Sequence, residues 1–528
     1  MTKRRTFIKQ AALGTVGIGI MGSFPACSPK IGKSVGQGSG PLPRSTPEAQ
    51  GIPSSAIRNF LAAVEKSGQE FHGFMVVRHG HVVAEGWWSP FAPALKHTLY
   101  SLSKSFTSTA IGMCVADGKM SVEDPVTKFF PNDLPNPVPP RLAAMKVKHL
   151  LTMNNGHDGK PMEAMQAEPN GRWAKAYLAE PIPYEPGTHF FYNTGSTYML
   201  SAIVQKLTGK TTFDFLGERL FKPLGIEGAD WEISPEGVSV GGYGLRTRLE
   251  DIAKFGQLYL QNGKWGGQQI IPASWVEEAT KRQGPSQDND SDWGQGYGYQ
   301  FWRCKPEPGF YRGDGAFGQY CIVIPQYDTV IAINSESKDM GASMKLAWDH
   351  LLPALKNDSP LPEDAASQKA LAEKLENIGL SIPSLQSSSP LAARLSGKEF
   401  KLENNEKGLA SIRFAFEKDS CKVMVQGKTG TQTLTCGFGH WHTDGNEQDV
   451  SVSLFALPER VKLTSKTAAS ATWQDDQTLL INLKFIENVH GDQWICRFDG
   501  NKLTVSFKNS LVMMGKEEEK RAGLVGFR

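Results

Sequence analysis

At 528 residues, with 40% hydrophobic and 10% aromatic content, the chain exceeds one ordinary domain and has enough core-forming side chains for two folded units. Its formal charge is +3, and without the N-terminal cluster Lys3, Arg4, Arg5 and Lys9 the body falls to −1, which argues against a nucleic-acid partner. Seven cysteines without paired Cys-x-x-Cys spacing call for neither a metal nor a cofactor.

Residues 1–27 carry paired arginines and then an apolar run over 11–24, the pattern of a twin-arginine export signal. The run is too short for an ordinary membrane span, so cleavage is expected. Cys27 adds a second possibility, a lipid on a new N-terminal thiol that tethers the protein to a membrane. The chain is therefore expected to be exported, either periplasmic or a membrane-anchored lipoprotein. Residues 28–45 form a polar, glycine-rich linker. Gly32-Lys33-Ser34-Val35-Gly36 matches a Gly-x-Ser-x-Gly nucleophile elbow, but no strand precedes it and no helix follows.

A helix is predicted from residue 54, with Ser54 or Ser55 as cap and Ile57, Phe60, Leu61 and Val64 on one face. Strands at 74–78 and 81–85 flank the turn His79-Gly80. Ser101-Leu102-Ser103-Lys104 then opens a helical segment with Phe106, Ala110, Ile111 and Met113. Three residues apart on a helix, Ser101 and Lys104 are neighbours, so the amine can take the proton that makes serine a poor nucleophile. Ser335-Glu336-Ser337-Lys338 matches the same pattern, but it follows the strand-like run 330–333, where that geometry is not produced.

After a proline-rich stretch at 131–140 come helical segments at 147–153, 197–207 and 250–261. Strands are predicted at 297–303, 318–324 and 329–333, and a helix at 343–355. Strands from both ends with helices between them give an α+β unit over 46–355, one antiparallel sheet plus a helical region with a cleft between. Cys304 and Cys321 can pair across neighbouring strands, as can two of Cys421, Cys436 and Cys496; buried free thiols are the alternative. Residues 356–390 are a linker with one helix built on Ala370, Leu371, Leu375 and Ile378. Residues 391–528 alternate apolar and polar residues and form a C-terminal all-β domain, a sandwich or small barrel. Trp441, Trp473 and Trp494 are expected in its core, no catalytic role is assigned to His440 or His442, and docking against the cleft is a hypothesis for the domain.

Tyr100-Ser101-Leu102-Ser103-Lys104-Ser105-Phe106-Thr107, Ser121-Val122-Glu123-Asp124-Pro125-Val126 and Val147-Lys148-His149-Leu150-Leu151-Thr152 resemble the serine β-lactamase and penicillin-binding-protein superfamily. Glu185-Pro186-Gly187-Thr188, Pro223-Leu224-Gly225-Ile226 and Gly241-Gly242-Tyr243-Gly244-Leu245 continue the likeness in order. Within that superfamily the chain resembles class C β-lactamase-related hydrolases, which include esterases, D-amino-acid peptidases and 6-aminohexanoate-dimer hydrolases. The resemblance implies a β-lactamase-like fold, with Ser101 as nucleophile, Lys104 as its base or proton shuttle and Tyr192 as a second base. It also implies an oxyanion donor near Ala316 or Phe317. Lysine and tyrosine both have reference pKa values near 10, so the sequence leaves open which is deprotonated.

Two departures concern the substrate. The family's Tyr-x-Asn needs asparagine at 194, whereas this chain has Tyr192-Asn193-Thr194. Either Thr194 takes the amide's place, or Asn193 reaches it by a local shift, or these residues cap a helix. Where the superfamily has Lys-Thr-Gly or His-x-Gly, this chain has Asp314-Gly315, with Arg312 on the same strand face as a partner for Asp314. Asn193, Thr194, Asp314 and Gly315 are the expected substrate-binding residues. Without the usual cation, β-lactam carboxylates are disfavoured and a small neutral or amine-bearing ester or amide is favoured. The expected function is an exported serine hydrolase acting through acyl-Ser101; the alternatives are a binding or sensor protein without turnover and a true β-lactamase.

Overall fold

The computed structural model describes residues 38–528 except 160, 288, 384, 429, 444–446 and 450–463. The twin-arginine segment, Cys27 and the Gly32–Gly36 pattern lie outside the described residues. Strands β1 (Glu70–Arg78) and β2 (His81–Trp87) form the hairpin turned by His79 and Gly80, both at positive φ. Next come β3 (His97–Thr98), which with β4 (Asp230–Trp231) and β5 (Leu245–Thr247) makes a small sheet, and the short hairpin β6 (Lys264–Trp265) and β7 (Gln268–Gln269). Strands β8 (Trp302–Arg303), β9 (Tyr311–Gly315), β10 (Gln319–Ile324) and β11 (Thr329–Glu336) then join the first hairpin. The result is an antiparallel six-stranded sheet of order β2-β1-β11-β10-β9-β8.

Both faces of that sheet are covered, and the alternation of its strands divides the apolar side chains between two cores. Phe74, Val76, Tyr320, Ile322, Ile331 and Ile333 pack with helices Ser54–Ser67 and Met340–His350. Met75, Val77, Cys321, Val323, Val330 and Ala332 face the helical region, with Ser103–Ala116, Thr194–Thr208 and Leu249–Leu260 behind them. The helix expected within 356–390 is present as Ala365–Glu376, and its Leu371, with Ile378 beyond it, is buried in the first of these cores.

Several local expectations need correction. Neither Ser54 nor Ser55 caps the first helix: Pro53 holds the cap position, and Ser54 donates its N–H and hydroxyl to the Glu48 carboxylate at 2.6 and 3.1 Å. The stretch 297–303 is strand only at β8, because Gln300 takes φ +66°. Neither proposed cysteine pairing forms, since all six cysteines from Cys114 to Cys496 are buried free thiols. Cys304 and Cys321 belong to cores on opposite faces of the sheet, so no bridge can join them. Cys421 and Cys436 oppose each other across their strands in an apolar core, where burial raises thiol pKa values and the residues behave as small hydrophobes.

The C-terminal domain is a closed β-barrel. Its strands are β12 (Glu399–Leu402), β13 (Ser411–Phe416), β14 (Ser420–Gly427), β15 (Gly430–Phe438), β16 (Glu447–Asp449), β17 (Thr464–Asp475), β18 (Thr478–Phe485), β19 (Gly491–Asp499), β20 (Lys502–Asn509) and β21 (Leu524–Phe527). They run in the order β15-β14-β13-β12-β21-β20-β19-β18-β17-β16, and a parallel contact of β15 with β17 closes the circle. Trp473 is fully buried among Phe414, Phe498 and the other inward residues, so it is core. Trp494 packs at the edge of that core, and half-buried Trp441 donates to the Leu380 carbonyl at 3.3 Å. Among the described residues no helix is long and apolar enough to cross a membrane.

Candidate active site

Ser101 lies in a 3₁₀ turn, Tyr100–Leu102, that runs directly into helix Ser103–Ala116. The helix thus begins two residues later than the motif, yet the turn preserves the spacing: Lys104 Nζ donates to Ser101 Oγ at 2.9 Å. Lys104 is 1% exposed and also donates to the Gly242 carbonyl at 2.7 Å and to Thr194 Oγ1 at 3.3 Å. Burial pushes its amine down from 10.5 to about 7, against the pull of the Asp314 carboxylate.

Tyr192 lies on the loop before helix Thr194–Thr208, with its ring 5.0 Å from Lys104 Nζ. It stacks on Trp302 at a centroid distance of 5.6 Å and meets Tyr297 edge-on at 6.2 Å. Its hydroxyl is within hydrogen-bonding reach of Ser101. Burial and the nearby Asp314 raise its pKa above 10, so at neutral pH the phenol keeps its proton while the Lys104 amine can lose one.

The Tyr192-Asn193-Thr194 departure resolves into two separate jobs. Asn193 caps the helix, its Oδ1 accepting from Gly195 N at 2.9 Å, while Thr194 supplies the hydroxyl facing Lys104. Asn193 Nδ2 is buried and has no hydrogen-bond partner among the described residues.

Strand β9 forms the opposite wall, and its glycines are there because the turn carrying Ser101 presses against them. A Cβ on Gly313 would lie 2.4 Å from Leu102 Cδ1, and one on Gly315 would lie 2.1 Å from the Leu99 carbonyl. Arg312 and Asp314 alternate to the other face and pair there, Nε to Oδ2 at 2.9 Å, with Trp293 Nε1 donating to the same carboxylate oxygen at 3.0 Å. Asp314 is therefore a neutralised, buried anchor rather than a free charge. Ser335, of the second Ser-x-x-Lys match, donates to the carbonyls of Phe317 and Gly318, and Lys338 is exposed, so that match forms no dyad.

Three features escaped sequence reasoning. The aromatic cluster of Trp293, Tyr297 and Trp302 beside Tyr192 is one: a strand pattern at 297–303 does not say which ring its residues pack against. The Gly242 carbonyl is a backbone group, signalled only by the Gly241-Gly242 pair. A Cβ there would meet Thr194 Cγ2 at 2.6 Å, with Lys104 Nζ 3.6 Å away. Gly242→Ala should displace Thr194 and the lysine and lower kcat by up to about 10²-fold with little change in KM, measured on any ester the protein turns over. Third, ligand-type atoms of Glu70, His72 and Glu336 all lie within 4.8 Å of one another, a set that on donor type alone suits a cation. The barrel's Lys484 already puts its ammonium there, 2.5 Å from Glu70 Oε1 and 3.2 Å from Glu336 Oε2.

The beta-lactamase family model matches residues 56–356. The chain is 26% identical over 310 residues to the 6-aminohexanoate-dimer hydrolase of Paenarthrobacter ureafaciens, covering 54% of this chain and 78% of that protein. It is 28% identical over 176 residues to the lovastatin esterase of Penicillium rubens, covering 29% of this chain and 42% of that enzyme. A solved structure from Bacillus anthracis, named for a 6-aminohexanoate-dimer hydrolase, superposes with a TM-score of 0.50 at 20% identity over 61% of this chain and 89% of its own, a likeness of fold. With its serine and lysine joined at the mouth of the helical region, and more than half its length matched, the chain belongs to the beta-lactamase family of hydrolases.

Proposed function

We propose that the protein is an exported serine hydrolase that cleaves a neutral or amine-bearing amide or ester through an acyl-Ser101 intermediate. The observation that carries this reading is the 2.9 Å contact of Ser101 Oγ with a buried lysine whose pKa is lowered to about 7. In its neutral form Lys104 accepts the Ser101 proton as Oγ attacks the carbonyl carbon. The oxyanion forms beside the backbone N–H of Ser101 itself and one from the turn after β9, near Ala316 or Phe317. Tyr192, still protonated, donates to the leaving nitrogen or oxygen, and water then releases the acid by the reverse sequence.

Two features support the substrate class. The position that binds an anionic carboxylate in β-lactam enzymes holds the closed Arg312–Asp314 pair, which offers no free cation. Tyr192 is backed by the buried rings of Trp302 and Tyr297, which make this side of the site apolar and favour a substrate with an apolar acyl part. Similarity to a 6-aminohexanoate-dimer hydrolase and to a lovastatin esterase fits cleavage of amides and esters.

The test is covalent labelling. A fluorophosphonate should modify Ser101, mapped by mass spectrometry, and a parallel panel should show turnover of p-nitrophenyl esters or of D-amino-acid amides well above that of a chromogenic cephalosporin. Absence of any adduct would leave the binding or sensor reading; preferential cephalosporin hydrolysis would make the protein a β-lactamase.

A further inference from the structure

The C-terminal barrel reaches the backbone on both sides of the proposed nucleophile site. Its loop between β18 and β19 carries Val489 and His490, and the short helix Ser510–Met513 carries Leu511. With Phe485, these apolar side chains form one buried cluster with Tyr100 and Phe317. Tyr100 immediately precedes Ser101, and Phe317 sits in the turn after β9. Both are non-glycine residues at positive φ, +46° and +65°, a conformation that bulky side chains hold only where their surroundings impose it.

His490 is what holds them. It is fully buried, its Nε2 lies 2.6 Å from the Tyr100 hydroxyl, and its ring meets Phe317 edge-on at a centroid distance of 4.8 Å. Its Nδ1 lies 2.7 Å from Glu336 Oε1 and 3.3 Å from Ser510 Oγ. In the neutral imidazole, a proton on Nδ1 goes to the carboxylate, which leaves Nε2 to accept from Tyr100. Glu336 is fixed in turn, because it stands directly opposite Glu70 across β1 and β11 and Lys484 from the barrel bridges the two carboxylates.

We infer that His490 is a positioning residue of this active site: through Tyr100 it fixes the strained turn that aims Ser101, so the barrel is part of the catalytic structure rather than an appended module. The inference rests on Ser101 being the nucleophile. The hydroxyl removed by Tyr100→Phe is the contact His490 uses, and the ring itself stays in place.

The experiment measures the rate of fluorophosphonate labelling of Ser101 in the full chain, together with kcat and KM on p-nitrophenyl acetate, for Tyr100→Phe, His490→Ala, the double variant and His490→Gln. Tyr100→Phe and His490→Ala should each slow labelling and kcat by about three- to tenfold, the worth of one hydrogen bond, with KM within about twofold. The double variant should be no slower than the worse single one, since both remove the same contact. His490→Gln, which keeps an acceptor, should recover part of the rate. Wild-type rates in Tyr100→Phe, or multiplicative losses in the double variant, would overturn the inference while leaving the nucleophile assignment intact. If His490→Ala does not fold, Tyr100→Phe and His490→Gln carry the test. An unlabelled wild-type protein would remove the nucleophile assignment and this inference with it.

Discussion

Ser101→Ala should abolish hydrolysis, and Lys104→Met should lower kcat by about 10²–10⁴-fold while the protein melts no lower than the parent. The two halves of the second result have one cause. Lys104 is buried with no carboxylate in contact, so desolvation lowers its pKa to about 7. An unfolded chain would keep that lysine protonated up to its ordinary 10.5, so between pH 7 and 10.5 the unfolded state binds more protons and stability rises with pH. At neutral pH the buried amine therefore works against folding, and a methionine of similar length removes that burden. The lost contacts to Thr194 and the Gly242 carbonyl offset part of the gain. The same shift sets the pH dependence of catalysis: kcat/KM should rise with pH through about 7 as Lys104 loses its proton, and Lys104→Met should lose that limb. A pH–rate profile with a flat acid limb in the parent enzyme would rule out Lys104 as the base.

Lys484→Met should destabilise the full chain by about 3 kcal/mol at pH 7, at the lower end of the range for breaking a buried ion pair because Glu70 is still 31% exposed. Without the ammonium, Glu70 and Glu336 face each other across β1 and β11 as like charges, with His72 and His490 as their remaining partners. In the parent, burial raises the Glu70 pKa, but Lys484 and His72 outweigh it and hold it well below its ordinary 4.5. A carboxylate so held contributes stability that is full above that value and is lost as pH falls below it toward the lowered pKa. In the variant, burial and mutual repulsion favour the protonated acid, so the gap between the two proteins should narrow as the pH is lowered from 7 to 4.5. Urea unfolding at both pH values reads this directly. An unchanged midpoint at pH 7 would mean that Lys484 contributes no net stabilisation to the junction of barrel and hydrolase.

The amino-acid sequence determined the local chemistry: the pairing of Ser101 with Lys104, a tyrosine on the loop before the helix of Thr194–Thr208, the sheet hairpins and the all-β character of the C-terminal domain. These are legible because spacing of three on a helical turn, alternation in strands and turn residues act over a few positions. Ser101 kept its neighbour even though the helix starts at Ser103, because a 3₁₀ turn closes a three-residue interval as well as an α-turn does. The three-residue departure at Tyr192 was readable as a list of options, but only packing showed that Asn193 caps while Thr194 meets Lys104.

Tertiary structure alone decided what surrounds that chemistry. Whether Arg312 neutralises Asp314, which base has the lowered pKa, and which face each cysteine takes all depend on burial, a property of the whole fold that no local pattern encodes. The Tyr100 contact with His490 spans 390 positions, and Lys484 lies 414 positions from Glu70. Neither residue belongs to a motif, and their partners are set by how a closed barrel packs against the end of a sheet.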